Sequence, residues 1–111
     1  EHFAGKFPLW LAPVQVKVLT VTDRFNPYAE AITAKLRQAG IRAEADLRNE
    51  KIGYKIRQGR NERVSYLAVV GEKEEEAGQV TVRSSKVGEL GALEVDSFLA
   101  SLLDEIAEKR V

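Results

Sequence analysis

Tyr66-Leu67-Ala68-Val69-Val70 is an uninterrupted apolar run closed by Gly71, and it narrows the fold more than any other stretch of this chain. A strand that is apolar at every position has no solvent face, so it belongs inside a sheet that is covered on both sides. The preceding segments supply a neighbouring strand and the covering helices. Val14-Gln15-Val16-Lys17-Val18-Leu19-Thr20-Val21 alternates and is rich in β-branched residues, which predicts a first strand. Asn26-Pro27 opens a helix in which Ala29, Ile32, Leu36 and Ala39 keep helical spacing, and Gly40 ends it as a C-terminal cap.

Ile41 to Asp46 reads as a short second strand. Lys51 to Glu62 reads as a second helix with Ile52, Ile56 and Gly59 facing inward. Gly53 and Gly59 are expected to allow close packing on the sheet, at a helix-propensity cost of about 1 kcal/mol each. After the apolar strand comes a polar loop. Gln79-Val80-Thr81-Val82-Arg83 then alternates as a half-exposed strand, its short return favouring an antiparallel hairpin. Glu89 to Leu93 adds a brief fifth strand, and Val95, Phe98, Leu99, Leu102, Leu103 and Ile106 mark an amphipathic last helix. The order β-α-β-α-β-β-β-α predicts a three-layer α/β/α domain around a five-stranded mixed sheet, mostly parallel with one antiparallel strand. At 111 residues there is room for one such domain, expected over 14–111. Residues 1–13 then form an incoming linker, with Trp10 laid against the domain as an anchor. The chain contains no methionine, so a fragment or processed piece of a longer protein is expected.

Several chemistries are excluded by composition. The chain has no cysteine, which removes thiol nucleophiles, disulfides and zinc-thiolate sites and fits a cytoplasmic location. Its one histidine is His2, in the expected linker, so histidine-based triads and metal sites have no material. Gly53 and Gly59 have neither Walker A nor dinucleotide-fingerprint spacing. The adjacent acids Glu74-Glu75-Glu76 and Asp104-Glu105 read as solvated charge. No stretch approaches membrane-crossing length, since Pro8 and Pro13 interrupt the apolar segment around Trp10.

Charge is balanced overall, with 17 basic and 17 acidic residues, but it is segregated. Between Arg48 and Arg63 stand Arg48, Lys51, Lys55, Arg57, Arg60 and Arg63 against only Glu50 and Glu62. That basic run begins where the second strand hands over to the second helix. In an open α/β sheet, ligands are held in the crevice beyond the carboxyl ends of the strands. Segregated charge of this kind steers a polyanion to one edge. Asn49, Lys51, Arg63, Glu74 and Arg83 supply the donors and acceptors that unstacked RNA bases require, and are expected to meet along one rim. Each also has a plainer structural role to weigh. Asn49 could cap the second helix; Lys51 and Lys55, four residues apart, could form a solvated helix face, with Lys55 touching phosphate at most. Arg63 could pair with Glu62, Glu74 could be an exposed turn acid, and Arg83 a surface charge. Phe25 reads as a loop anchor.

The residues resemble a known family. Phe3-Ala4-Gly5, Phe7-Pro8 and Trp10-Leu11-Ala12-Pro13-Val14-Gln15-Val16 look like the junction that leads into the C-terminal anticodon-binding domain of threonyl-tRNA synthetases. Gly40-Ile41-Arg42 and Ala45 to Ile56 look like its central motif. Gly71, Lys73-Glu74, Gly78 and Val80 to Arg83 look like its later hairpin. The resemblance spans essentially the whole chain. It departs at Ser84-Ser85-Lys86-Val87, where more basic residues often follow the strand. It implies a non-catalytic fragment that binds the anticodon loop of threonine tRNA, with Asn49, Lys51, Arg63, Glu74 and Arg83 contacting anticodon bases, chiefly the middle guanine and third-position uracil. It also implies a parent enzyme that uses ATP and Mg²⁺ in a catalytic core absent here and dimerises mainly through that core. No cofactor is expected in the fragment.

Two other classes compete with this reading. One is a protein-interaction or polymerase-accessory domain of the same fold without RNA specificity. The other is a small flavodoxin-like enzyme, against which the missing phosphate loop and the lone terminal histidine count.

Overall fold

The computed structural model describes residues 12, 14–62, 64–84 and 88–108. The linker around Trp10, His2, Arg63 and the Ser85–Val87 departure lie outside the described residues. The elements run β1 (Val16–Thr20), a 3-10 turn (Asp23–Phe25), α1 (Asn26–Gln38), β2 (Ala43–Asp46), α2 (Ile52–Asn61), β3 (Tyr66–Val70), α3 (Glu72–Ala77), β4 (Gln79–Ser84), β5 (Gly88–Glu94) and α4 (Val95–Glu108). The sheet order is β2-β1-β3-β4-β5. β1 pairs in parallel with β2 and with β3, whereas β4 pairs antiparallel with β3 and with β5. Four strands therefore share one direction and β4 opposes them, the mixed sheet read from the sequence.

Strand alternation separates two cores. Val16, Val18, Ala68, Val70, Val80 and Val82 face α1 and α4, where Ala29, Ile32, Leu36, Phe98 and Leu102 meet them. Each valine, isoleucine, leucine or phenylalanine here, fully buried, is worth about 1.5–3 kcal/mol, which makes this the dominant core. Phe98 meets the edge of Tyr66 with ring centroids 5.9 Å apart. On the opposite face Leu19, Val64 and Leu67 form a smaller cluster, with Ile52, Ile56 and Val69 packed against it under α2. Phe25 is buried, in line with its expected anchoring role.

The segment expected to be a polar loop after β3 is a helix. Glu74 Oε1 accepts the Gly71 N–H at 2.8 Å, closing half of a capping box, and Gly78 ends α3 in the left-handed conformation with φ 67°. Glu72, Glu74 and Glu75 in the first turn complement the helix dipole, so the acids that read as solvated charge favour the helix.

The two glycines of α2 have different roles. A Cβ on Gly59 would stand 2.6 Å from Leu67 Cδ2, so the strand side chain occupies the space that glycine leaves. A Cβ on Gly53 would meet nothing within 4 Å, which corrects the expectation that Gly53 packs on the sheet. Substitutions at the two positions should therefore move stability in opposite directions. Gly53→Ala is expected to raise unfolding free energy by about 0.5–1 kcal/mol. Gly59→Val is expected to lower it by about 1–3 kcal/mol through overpacking. Urea unfolding midpoints read both, and two shifts of the same sign would contradict this packing.

Candidate nucleic-acid interface

α2 is pinned to the sheet near its start by a buried cation. Lys55 is 1% exposed, and its ammonium donates to Thr20 O at 3.0 Å, Thr20 Oγ1 at 3.0 Å and Asp46 O at 3.3 Å. These are the last residues of β1 and β2. The expected solvated role for Lys55 is therefore corrected, and with it any phosphate contact. The sequence did carry the signal: Lys55 lies three residues after Ile52 and four before Gly59, inside the apolar stripe. At the far end of α2, Lys17 Nζ reaches Glu62 Oε1 at 2.5 Å, so the acid expected to pair with Arg63 is engaged from β1.

The turn between β2 and α2 is built on Asp46. Its buried carboxylate accepts Arg48 Nε at 2.9 Å and Nη2 at 2.8 Å, and the Arg48 backbone N–H at 3.2 Å. The Arg48 hydrogen bonds hold the Asp46 carboxyl below its ordinary value against the opposing effect of burial, and the paired guanidinium is held correspondingly higher. Burial pushes the Lys55 ammonium below the usual lysine value, with Asp46 opposing.

Of the residues singled out from the sequence and described, Asn49, Lys51 and Glu74 stand at one edge of the sheet and Arg83 does not. Asn49 and Lys51 are exposed in the β2–α2 turn at the carboxyl edge of the sheet. Lys51 holds the helix N-cap position with no side-chain cap bond, so Asn49 does not cap α2. Glu74 stands at the same edge, half-buried. Its Oε2 accepts Thr81 Oγ1 at 2.8 Å while Oε1 holds Gly71, so it is a bound acid rather than a free turn acid. Arg83 pairs across the ladder with Leu67, as Thr81 does with Val69. Opposed residues share a face, so Arg83 and Thr81 lie on the α2 side of the sheet, about 7 Å apart along β4. Arg83 thus sits toward the amino end of β3, away from the expected rim. Its side chain is 31% exposed, with Nη2 3.5 Å from Glu89 Oε1. Exposed Arg57 and Arg60 on α2 add positive charge beside this face.

Two features escaped the sequence reading. Tyr54 is an exposed ring beside Arg48, hidden in a run dominated by charge. Tyr28 Oη lies 3.2 Å from Glu74 O and 2.9 Å from Gln79 O, tying α1 to the turn that carries Glu74; burial, then Glu74 and Glu75, push its hydroxyl pKa up. Among the described residues no group of three or more histidine, cysteine or acidic side chains is arranged to hold a metal, and no helix is long and apolar enough to cross a membrane.

A sheet with helices on both faces, a basic helix start at its carboxyl edge and polar side chains along β4 define the class, and comparison with known proteins agrees. The chain belongs to the anticodon binding domain family, which it matches over residues 15–105. It is 54% identical, over 98% of its length, to the threonine–tRNA ligase of Syntrophomonas wolfei and 55% identical to that of Clostridium botulinum, spanning 17% of the length of each. Among solved structures, the RNA binding domain of threonyl-tRNA synthetase from Cryptosporidium parvum matches with a TM-score of 0.88 at 27% identity, covering 94% of this chain and 26% of that one. A histidyl-tRNA synthetase from a Nostoc species matches at 0.78 and 18% identity, covering 85% of this chain and 23% of that one, a likeness of fold alone.

Removing Lys55 strips three buried hydrogen bonds from the ends of β1 and β2. Lys55→Ala is expected to lower stability by about 1–3 kcal/mol beyond what Arg57→Ala costs, read by urea unfolding. Asp46 titrates lower in the folded chain than in the unfolded one. Its stabilisation is accordingly complete above the unfolded value near pH 4 and is lost as pH falls through the folded value. Asp46→Asn should be less stable at neutral pH and flatten that acid limb. An unchanged limb would contradict the assignment.

Proposed function

We propose that this chain reads the anticodon of threonine tRNA as the C-terminal domain of a threonine–tRNA ligase, recognising the middle guanine and the third-position uracil. The observation that carries the reading is identity near 50% to threonine–tRNA ligases along almost the whole chain. The face between α2 and β4 supports it with suitable chemistry. Arg83 presents a planar donor fork for guanine acceptors, and Asn49 offers both donor and acceptor. Lys51 adds a mobile cation at the helix start. Glu74 is already held by two hydrogen bonds yet keeps lone pairs for an exocyclic amine or imide donor, and the hold fixes its direction. Arg63, one residue past Glu62, completes the set. The parent enzyme would join threonine to its tRNA with ATP and Mg²⁺ in a catalytic core outside this chain, in the cytoplasm, as a dimer formed through that core.

A bidentate arginine contact discriminates bases by about 1–3 kcal/mol, whereas a phosphate contact is blind to sequence. Binding of threonine tRNA should be compared with the same RNA whose central anticodon guanine is replaced by adenine, at fixed salt. The native chain should prefer the guanine form about tenfold or more. Arg83→Ala should erode that preference, while Arg60→Ala should weaken both RNAs alike and reduce the salt dependence. Equal affinities of the native chain for the two RNAs would overturn the proposal.

A further inference from the structure

The β2–α2 turn leads into an exposed aromatic ring that belongs to neither apolar cluster. Tyr54 is 46% exposed in the first turn of α2, its N–H donating to the Lys51 carbonyl at 3.1 Å. The Arg48 guanidinium carbon stands over the ring, 5.7 Å from its centroid. Arg48 is itself held, by the two carboxylate oxygens of buried Asp46 and by Gln58 Oε1. The Asp46 carbonyl in turn takes the Lys55 ammonium. One chain of contacts thus runs from the end of β2 to a ring on the surface.

That arrangement has the properties of a prepared stacking surface. A ring backed by a fixed planar cation loses little freedom when a second planar group settles on it. Four large apolar side chains are exposed among the described residues, Val21, Tyr54, Leu90 and Leu103, and Tyr54 alone offers a π face. It lies three residues from Lys51 and five from Asn49. Unstacked RNA bases are held by aromatic rings and guanidinium planes together with hydrogen bonds to their edges. All three kinds of group occur within this one turn.

We propose that Tyr54, backed by Arg48, is a stacking platform for one unpaired nucleobase of the bound RNA, next to the edge-reading Asn49 and Lys51. The platform rests on the anticodon-reading function and adds a contact of a different kind. Every base has a π face, so Tyr54 contributes affinity and orientation while the hydrogen-bonding residues contribute identity.

The test uses the full-length protein that carries this domain and threonine tRNA, intact or with one abasic nucleotide placed in turn at each position of the anticodon loop. Tyr54→Ala and Tyr54→Leu are each expected to weaken binding of the intact RNA about five- to a hundredfold, and Tyr54→Phe to bind close to the native level. At one abasic position the loss should vanish, because the stacked partner is already gone. Thermal midpoints close to native for Tyr54→Leu would show that the loss is not a folding defect. Native-like binding by Tyr54→Ala, or a loss that persists at every abasic position, overturns the platform. If the native protein fails to prefer the central guanine, the anticodon reading fails and the platform with it. If it does prefer guanine while Tyr54→Ala binds like native, the platform alone falls.

Discussion

The arrangement of the β2–α2 side of this molecule depends on one buried ammonium. Lys55 joins the carboxyl ends of β1 and β2 with three hydrogen bonds and so ties the first half of α2 to the sheet. Burying a cation is costly, and the lowered proton affinity of Lys55 is the mark of that cost. The same ion donates hydrogen bonds to the Thr20 and Asp46 carbonyls and to the Thr20 hydroxyl, which offsets part of that cost. Its proton affinity sets the sign of a pH effect: the fold gains stability as pH rises from the folded value of Lys55 toward the ordinary lysine value, where only the unfolded chain still binds the proton. What the buried lysine secures is the position of α2 against the ends of β1 and β2.

From that fixed point the candidate face can be followed outward. Asp46 orients Arg48, Arg48 backs Tyr54, and the short turn between them exposes Asn49 and Lys51. At the other end of α2 the Lys17–Glu62 pair holds the helix against β1. Across the sheet, Glu74 is locked between Gly71 and Thr81, and the β3–β4 register carries Arg83 onto the same side. Glu74 and Arg83 are thus mounted on a capped helix and a paired strand, whereas Asn49 and Lys51 stand in the turn that Asp46 and Arg48 brace. The larger core under α1 and α4 leaves that face to polar chemistry.

Much of this was legible in the sequence because it rests on period. Alternation gave β1 and β4, the apolar run gave β3, and helical spacing from Val95 to Ile106 gave α4. Where a tertiary contact decides the outcome, local pattern was insufficient. The acids after Gly71 read as a loop because the bond from Gly71 to Glu74 that starts α3 is invisible in composition. The charge of Lys55 masks its place in an apolar stripe. Gly53 and Gly59 look alike in a helix, and only the position of Leu67 separates them. The family resemblance nominates Asn49, Lys51, Arg63, Glu74 and Arg83, but the place of Arg83 follows from its pairing with Leu67, which no motif spells out.

Titrating the isotope-labelled chain with a threonine anticodon stem-loop and following amide chemical shifts tests most directly whether this face is the RNA surface. Shifts should concentrate at residues 48–54, at Glu74 and along Thr81 to Arg83, leaving the outer surfaces of α1 and α4 unmoved. Shifts gathered on α1 and α4, with the β2–α2 turn silent, would contradict the assignment of function to this side of the molecule.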